Sequence, residues 1–536
     1  MKNIVTGESS FEDLILSGCL YVDKTKYLYN LISKPDKYYF LSRPRRFGKS
    51  LTLSTLEAIF KGKSELFKGL YIDSTDYDWK EYPVLHIDFS SLASRTPEAL
   101  EEDLVIEVLK VAKAYNVEVP ELESAKAKFK AVIEGLSQIN KVVVLVDEYD
   151  SILTRNINND KLEEIRDVFR DFFDIIKALS SNVRFCFITG VTKFSKVSIF
   201  SAMNNLVDIS VLDDYSALLG YTQKELEDNF AEYLDTGAKK NNISKEEYLS
   251  QLKYWYDGYH FTSEGQAVYN PVSIGSFFYA GGEIFRNYWI QTGGMTSFLT
   301  EIAKRVKFDL SLSEEIRISE DKLHSVDIIQ MAQTEVSKEN FIALLYQSGY
   351  LTIKSSSRGR GGYLLTLGYP NEEVEQGLNE ILLPAYVGSA ARSFDKLILL
   401  DFFDRGKVKE AMEMISSIFA SIPYYELVFD SESAWHAGFV CMMNMLEADL
   451  IPEIPTNKGR IDCVIKSPND IYIIEFKYNQ SAEVAIQQIK DNKYYEPYLS
   501  CGKAIHLLGI NFSTEQKNIV EWKEELLYRI SHQQSQ

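Results

Sequence analysis

An unbroken apolar run that ends in acidic residues, KVVVLVDEYD at 141–150, constrains the fold more than any other feature of the sequence. A continuous apolar run is typical of a strand buried on both faces, because a half-exposed strand alternates polar and apolar residues. Strand patterns at 37–42, 83–90, 183–190 and 206–212 alternate with helical patterns at 48–60, 97–115, 123–136 and 160–180. This alternation predicts an α/β domain with a parallel sheet and right-handed crossovers.

The length of the chain predicts several folding units. Its 536 residues are too many for one hydrophobic core, so we expect about three or four units. We place the parallel-sheet domain at 1–220 and a helical region at 221–330. At 331–375 a helix, a strand, the basic turn SSSRGRGG and a returning strand have the outline of a winged helix. Residues 376–536 contain a helical stretch followed by a last α/β domain.

Composition excludes several classes of protein. The formal net charge of −19 argues against a domain that only coats nucleic acid, so any such contact must be local. The five cysteines form no CxxC pair, which argues against a zinc knuckle or a disulfide framework. No run approaches the roughly 18 apolar residues of a membrane-spanning helix. We therefore expect a cytoplasmic protein with no membrane partner.

A candidate phosphate-binding loop, FLSRPRRFGKSL at 40–51, joins a predicted strand to a predicted helix. Amide groups at a helix N-terminus, with the helix dipole, hold phosphate. Gly48 lets the backbone approach closely, Lys49 can reach the β- and γ-phosphates, and the Ser50 hydroxyl can ligate Mg²⁺. Arg43 stands where such loops have their first glycine, and we expect it, with Arg45 and Arg46, to add positive charge beside the polyanion. The candidate nucleotide-binding residues are Arg46, Phe47, Gly48, Lys49, Ser50 and Leu51.

Three further polar residues fit the same site. Asp147 and Glu148 follow the buried strand, at the sheet edge where open α/β sheets bind ligands. We expect Asp147 to hold Mg²⁺ through water and Glu148 to polarise an attacking water. Thr189 ends the strand FCFITG. In P-loop ATPases of the additional-strand type that strand lies between the two nucleotide-binding strands, so we expect Thr189 to face the γ-phosphate as a sensor. A solvated basic turn, a helix cap and a strand cap would explain the three features separately, but together they favour ATP binding.

Four stretches together resemble the bacterial AAA-ATPase-like family, whose members carry a C-terminal PD-(D/E)XK nuclease-like domain. These stretches are YVDKT, YFLSRPRRFGKSLTLSTL, VVLVDEYD and ITGVTKFSKVSIFSAMNNL, which begin at residues 21, 39, 143 and 188. The resemblance covers nearly the whole chain. It implies that an arginine-rich loop without the first glycine is the usual form in this family.

The C-terminal sequence carries a second constellation, GRIDCVI followed by IYIIEFK. Asp462 lies on one predicted strand, while Glu475 and Lys477 lie two residues apart on the next and so share a face. Two carboxylates and a lysine on one face can hold Mg²⁺ and activate water for attack on a phosphodiester. An exposed strand face with an ion pair is the alternative, but the apolar IYII run indicates a central strand.

The resemblance adds two residues to this second site. Glu432 takes the place of the acid in the family's E-x-x-Y-H stretch, and Gln488 matches a family glutamine on the helix after the lysine-bearing strand. The candidate metal ligands are thus Ser50, Asp147, Asp462 and Glu475. Arg358 and Arg360 in the basic turn are candidate nucleic-acid contacts.

The predicted fold is α/β, with a P-loop ATPase parallel sheet, a helical lid, a winged-helix-like middle and a C-terminal PD-(D/E)XK domain. The cofactors are ATP with one Mg²⁺, and one or two Mg²⁺ in the nuclease-like site. The predicted function is an ATPase coupled to a metal-dependent nuclease that acts on nucleic acid; we expect DNA as the ligand, although no sequence feature distinguishes DNA from RNA. The alternative is a non-cutting ATP-dependent switch whose C-terminal domain only binds nucleic acid or a protein partner, and homo-oligomer formation is left open.

Overall fold

The computed structural model describes two compact units. Described residues are 1–92, 95–195, 203, 205–290, 296–306, 316–333, 335–360, 362–387, 395–421, 454–456 and 459–528. The first unit is formed by residues 1–293 and 317–374, and the second by residues 294–316 and 375–536. Within the described residues, no helix is long and apolar enough to cross a membrane.

The first unit begins with an α/β domain. Its helices are α1 Phe11–Leu16, α2 Thr25–Ile32, α3 Lys49–Phe60, α4 Pro97–Ala114, α5 Ala125–Ser137, α6 Ser151–Arg155 and α7 Leu162–Ala178. Its strands are β1 Tyr38–Ser42, β2 Val84–Asp88, β3 Val142–Asp147, β4 Val183–Gly190, β5 Phe194–Ser195 and β6 Val207–Asp208. The predicted alternation of strands and helices is confirmed.

The central sheet has the strand order β2-β3-β4-β1-β6, and each neighbouring pair is parallel. Every residue of β3 is buried, as its continuous apolar run predicts. In register, Ile188 of β4 faces Phe40 of β1 on one side and Val146 of β3 on the other. The predicted insertion of β4 between the loop-bearing and acid-bearing strands is therefore confirmed, and the carboxyl ends of all three meet at one edge.

A helical region follows the sheet. Its helices are α8 Gln223–Asn229, α9 Ala231–Asn241, α10 Lys245–Tyr256 and α11 Pro271–Tyr279, and α12 Thr296–Arg305 comes next in the chain. Buried leucines and aromatic side chains of α8 to α11 form a common core. Lys24 connects this core to the N-terminal segment, because its buried ammonium contacts both carboxylate oxygens of Glu225 at 2.7 Å.

The next segment has the elements of a winged helix. It contains β7 Ile316–Ser319, α13 Glu320–Leu323, β8 Val326–Asp327, α14 Ile328–Met331, α15 Lys338–Gln347, β9 Thr352–Gly359 and β10 Gly362–Gly368. The sheet order is β7-β10-β9, and β9 and β10 are antiparallel. The predicted helix, strand, turn and returning strand are thus present in the predicted order.

The second unit is an α/β domain with a mixed sheet. Its remaining elements are α16 Glu372–Val387, α17 Lys396–Asp404, α18 Val408–Ala420, β11 Ile454–Thr456, β12 Gly459–Ile461, β13 Cys463–Lys466, β14 Asp470–Tyr478, α19 Ala482–Asp491, β15 Ala504–Ser513 and β16 Asn518–Tyr528. The main sheet has the order β13-β14-β15-β16, with only β14 and β15 parallel. His506 of β15 lies between two carboxylates, at 3.0 Å from Asp470 and 2.6 Å from Glu524.

Two predicted strands are shorter than expected. The strand predicted over 206–212 ends at Asp208, because the Asp208 carboxylate accepts the Ser210 N–H at 2.9 Å and starts a 3₁₀ turn. The strand predicted over 459–465 is divided at Asp462 into β12 and β13. The Asp462 carboxylate accepts the Phe476 N–H at 2.8 Å. In a continuous strand, a backbone carbonyl would accept such a hydrogen bond, so the side chain interrupts the strand here.

Candidate functional site

The candidate phosphate loop lies between the end of β1 at Ser42 and the start of α3 at Lys49. Arg46 and Gly48 both have left-handed backbone conformations, with φ of 66° and 95°. Residues alternating between right- and left-handed conformations turn successive amides inward and form an anion-binding concavity. A Cβ added to Gly48 would meet nothing within 4 Å, so the concavity is open beside the helix N-terminus.

Lys49 is buried beneath this loop. Its ammonium donates to the carbonyl oxygens of Arg43 and Pro44, at 3.0 and 2.9 Å. Burial lowers the pKa of Lys49, and the carboxylates of Glu148 and Asp147 oppose that change. A buried cation whose nearest partners are neutral carbonyls is electrostatically under-compensated, which favours a bound polyanion.

The other predicted loop residues have different environments. Ser50 is the second residue of α3 and is partly exposed, as is Leu51. Phe47 is buried, with its ring 4.9 Å from that of Tyr259 and 5.4 Å from that of Phe261. Phe47 therefore packs the loop onto the helical region.

Arg43 does not have the environment that its position predicts. Its guanidinium is buried and donates to the carbonyls of Ser42 at 2.9 Å, Ser210 at 3.0 Å and Tyr215 at 3.4 Å. It also lies 4.2 Å from the centre of the Phe261 ring. The expectation that Arg43 supplies charge to the polyanion is therefore corrected, because this guanidinium anchors the loop to the segment after β6.

The three polar positions at the ends of β3 and β4 come together. The Thr189 hydroxyl donates to Asp147 Oδ1 at 2.6 Å, and the Glu148 N–H donates to the same oxygen at 2.9 Å. Glu148 adopts a left-handed conformation with φ 46°, which bends the chain sharply after β3. Burial raises the pKa of the Glu148 carboxyl, although Lys49 opposes that change. A carboxylate of raised pKa is a suitable proton acceptor.

Two neighbours of these residues have roles that the sequence did not reveal. The buried Asp150 carboxylate accepts the N–H groups of Val191 and Thr192, and the Tyr149 hydroxyl donates to the Thr192 carbonyl at 2.7 Å. A Cβ on Gly190 would lie 2.6 Å from Asp150 Oδ1, so only glycine fits there. The stretch DEYD could have indicated the role of Asp150, because a third carboxylate at the sheet edge needs hydrogen-bond donors when it is buried.

The predicted cluster of the C-terminal sheet is assembled around Glu475, which is 2% exposed. Lys477 Nζ donates to Glu475 Oε1 at 3.1 Å, and the Gln488 amide, from α19, donates to the same oxygen. Asp462 is placed beside them at the junction of β12 and β13, where its carboxylate accepts the Phe476 N–H. Glu475, Lys477 and Gln488 are thus in direct contact, and Asp462 adjoins them.

The second oxygen of Glu475 distinguishes this cluster from an ordinary ion pair. Glu475 Oε2 is buried and has no hydrogen-bond partner among the described residues, whereas Oε1 has two donors. Burial, and then the Asp462 carboxylate, raise the pKa of Glu475 to about 7. A buried oxygen without a donor and a second carboxylate nearby fit a divalent cation, which prefers oxygen ligands and stabilises both charges. No group of three or more His, Cys, Asp or Glu suited to a metal occurs among the described residues.

The remaining predicted residues lie apart from these two clusters. Glu432 lies outside the described residues. Arg358 and Arg360 lie at the tip of the β9–β10 hairpin and are exposed, with Arg358 opposite Tyr363. Trp289, which no motif indicated, contacts the phosphate loop by donating from its indole to the Arg45 carbonyl at 3.1 Å.

Comparison with known proteins identifies two matched regions and one relative. Residues 5–200 match a family model described as "Predicted AAA-ATPase", and residues 430–522 match one described as "PD-(D/E)XK nuclease superfamily". A protein of Azotobacter chroococcum mcd 1, described as an uncharacterized protein in the vnfD 5' region, is 35% identical over 525 residues. That similarity covers 95% of each of the two chains.

Proposed function

The chain belongs to the AAA-ATPase-like family with a C-terminal PD-(D/E)XK nuclease-superfamily domain, and on that premise we propose that it hydrolyses ATP and cleaves nucleic acid in a metal-dependent reaction. DNA is the proposed substrate. The proposed division is an ATPase domain at 1–220, a helical region at 221–330, a winged-helix-like region at 331–375 and a nuclease-like domain at 376–536.

In the proposed ATPase site, the loop amides and Lys49 bind the β- and γ-phosphates. Ser50 and Asp147 would hold Mg²⁺, which neutralises phosphate charge when bound. Glu148 accepts a proton from the attacking water, and its raised pKa suits that task. Thr189 holds the Asp147 carboxylate in one orientation through their 2.6 Å hydrogen bond.

In the proposed nuclease site, Asp462 and Glu475 would hold Mg²⁺, which lowers the pKa of bound water and stabilises negative charge on the phosphodiester. Lys477 orients the attacking water and the scissile phosphate. Gln488 and Lys477 both donate to Glu475 Oε1, so Oε2 is the oxygen that would be available to hold the metal. Glu432 is proposed as a further acid of this site.

The observation that carries the nuclease proposal is the buried Oε2 of Glu475, which no donor contacts within the part of the chain that the structure describes. A buried, charged oxygen without a donor destabilises the folded state, and such oxygens are rare in folded proteins unless they bind a ligand. An ion pair with Lys477 alone would explain Oε1 but not Oε2. A metal ligand explains both oxygens.

The test is cleavage of linear, nicked and single-stranded DNA with Mg²⁺ or Mn²⁺, with EDTA and Ca²⁺ as controls. Asp462→Ala and Glu475→Ala are each expected to remove cleavage and metal binding, because each supplies ligand oxygens. Lys477→Ala is expected to remove cleavage but to keep much of the metal affinity, since a charged ammonium is not a ligand. Lys523→Ala is the matched control, because Lys523 belongs to the same sheet but pairs with Glu483.

Absence of cleavage on every substrate, with and without ATP, together with absence of metal binding, would support the non-cutting switch instead. The ATPase half is tested separately by calorimetry. Lys49→Ala is expected to weaken ATP binding by at least about tenfold, roughly 1.4 kcal/mol. Unchanged ATP affinity in that variant would refute the proposed phosphate loop.

A further inference from the structure

Trp289 contacts the phosphate loop from outside the ATPase sheet. Its side chain is 3% exposed, and its indole N–H donates to the carbonyl oxygen of Arg45 at 3.1 Å. Arg45 lies in the middle of the loop, between Arg43, whose carbonyl Lys49 binds, and Gly48. An aromatic side chain distant in sequence therefore provides a specific hydrogen bond to the loop backbone.

This hydrogen bond fixes the orientation of one peptide group. In a trans peptide the carbonyl of one residue and the N–H of the next point in opposite directions. The described residues contain no cis peptide bond, so the N–H of Arg46 points away from Trp289. The left-handed conformation of Arg46, with φ 66°, is typical of a backbone concavity that binds anions.

Lys49 and Trp289 act on different carbonyls of the loop. The Lys49 ammonium donates to the carbonyls of Arg43 and Pro44, whereas the Trp289 indole donates to that of Arg45. The two donors hold three successive carbonyls. Three successive peptide groups are thus oriented before any ligand arrives, which lowers the ordering cost of binding.

Trp289 is itself held rigidly. Glu373 is completely buried, and its Oε1 accepts the backbone N–H groups of Tyr288 at 2.6 Å and Trp289 at 2.7 Å. Its Oε2 accepts the Ser273 hydroxyl at 2.6 Å. The indole ring packs 5.1 Å from the ring of Tyr350. A buried carboxylate with three donors therefore fixes the turn that carries the indole.

Gly349 brings the winged-helix-like segment to the same place. A Cβ at this position would lie 2.6 Å from Pro44 Cγ and 3.5 Å from Trp289 Cη2. Its φ of 88° is also one that L side chains rarely adopt. Close approach of the α15 C-terminus thus confines both Pro44 and the indole.

We propose that Trp289 is a positioning residue of the phosphate site, holding the peptide between Arg45 and Arg46 so that the Arg46 N–H faces the diphosphate portion of a nucleoside di- or triphosphate. This inference rests on the proposed ATP-binding function. It assigns to the helical region a direct part in nucleotide affinity, through one hydrogen bond.

The test compares Trp289→Phe, which keeps an aromatic ring but lacks the N–H, with Trp255→Phe as the matched control. Trp255 is a partly buried tryptophan of α10 whose ring packs 6.0 Å from Phe285, away from the loop. We expect ADP and ATP affinity, measured by calorimetry, to fall about fivefold to tenfold in Trp289→Phe, as for loss of one hydrogen bond. Trp255→Phe is expected to bind both nucleotides like the wild type.

A spectroscopic measurement separates positioning from a general packing effect. The chain has five tryptophans, so its ¹⁵N spectrum contains few indole N–H signals, and Trp289→Phe identifies that of Trp289. We expect this signal to shift when ADP is added to the wild-type protein. Wild-type ADP affinity in Trp289→Phe, or an indole signal that ADP does not move, would overturn the inference. Absence of ADP binding by the wild-type protein would instead refute the proposed ATPase.

Discussion

Replacing Thr189 by Val removes one hydroxyl from the centre of the proposed ATPase site while keeping a β-branched side chain. The hydroxyl donates to Asp147 at 2.6 Å, within the range of charge-assisted bonds to a carboxylate. Thr189 is fully buried and Asp147 is 4% exposed, so water cannot easily replace the lost donor. We expect a loss of about 2 kcal/mol in the free energy of unfolding. That is roughly a 30-fold change in the ratio of folded to unfolded protein.

The expected effect on turnover is larger than the effect on ATP binding. Without the Thr189 hydroxyl, the Glu148 N–H at 2.9 Å is the donor that remains to Asp147 Oδ1 among the described residues, so the carboxylate can rotate. A misplacement of this kind costs on the order of 10²-fold in kcat, while ATP affinity, governed by Lys49, stays near the wild-type value.

Thr189→Ser is the matched control, because it keeps the hydroxyl and loses only a methyl group. The assays are steady-state ATP hydrolysis, ATP calorimetry and urea unfolding, in which a lower midpoint at unchanged slope reports stability. Wild-type turnover in Thr189→Val, or equal losses in the Val and Ser variants, would refute the role assigned to the hydroxyl.

Three further predictions concern other parts of the chain. Glu148→Gln is expected to keep ATP affinity and to lose turnover on the order of 10²-fold or more in the same assays; wild-type turnover would place the proton acceptor elsewhere. Joint replacement of Arg358 and Arg360 by Ala is expected to weaken duplex binding without regard to sequence and to reduce its salt dependence, and an unaltered salt slope would exclude phosphate contacts at the hairpin tip. Burial would lower the pKa of His506, but its hydrogen bonds to two carboxylates raise it above the ordinary value of about 6.5. His506 therefore stabilises the fold fully below that pH, and urea unfolding is expected to show this stability decline as pH rises through the raised pKa, with a flatter profile in His506→Gln.

Local patterns predicted the fold well where the pattern itself reports burial. The apolar run of β3 indicated a strand with two covered faces, and the structure buries all six of its residues. The break at Asp462 was not predictable, because it depends on a side-chain bond to Phe476 of another strand. The early end of β6 at Asp208 has a similar cause, since its side chain starts a turn that strand propensity does not describe.

In the candidate sites too, local sequence patterns were predictive, whereas contacts between residues distant in the sequence were not. The spacing of Glu475 and Lys477 predicted that they share a face of the strand, and the structure brings their side chains into contact. The environment of Arg43 was wrongly expected, since two of its three carbonyl partners, Ser210 and Tyr215, lie more than 160 residues later in the chain. Trp289 carries no motif at all, because its contact with the loop exists only after the helical region has packed.

The interrupted path of the chain through the two units has a practical consequence for dissecting this protein. The second unit draws on residues 294–316 as well as 375–536, and Thr300 of its early segment donates to the Ile381 carbonyl at 2.8 Å. A single cut therefore cannot release it whole. A fragment starting near 375 would leave α12 behind, so a fusion that joins both segments through a linker in place of residues 317–374 is the better design for studying this unit alone.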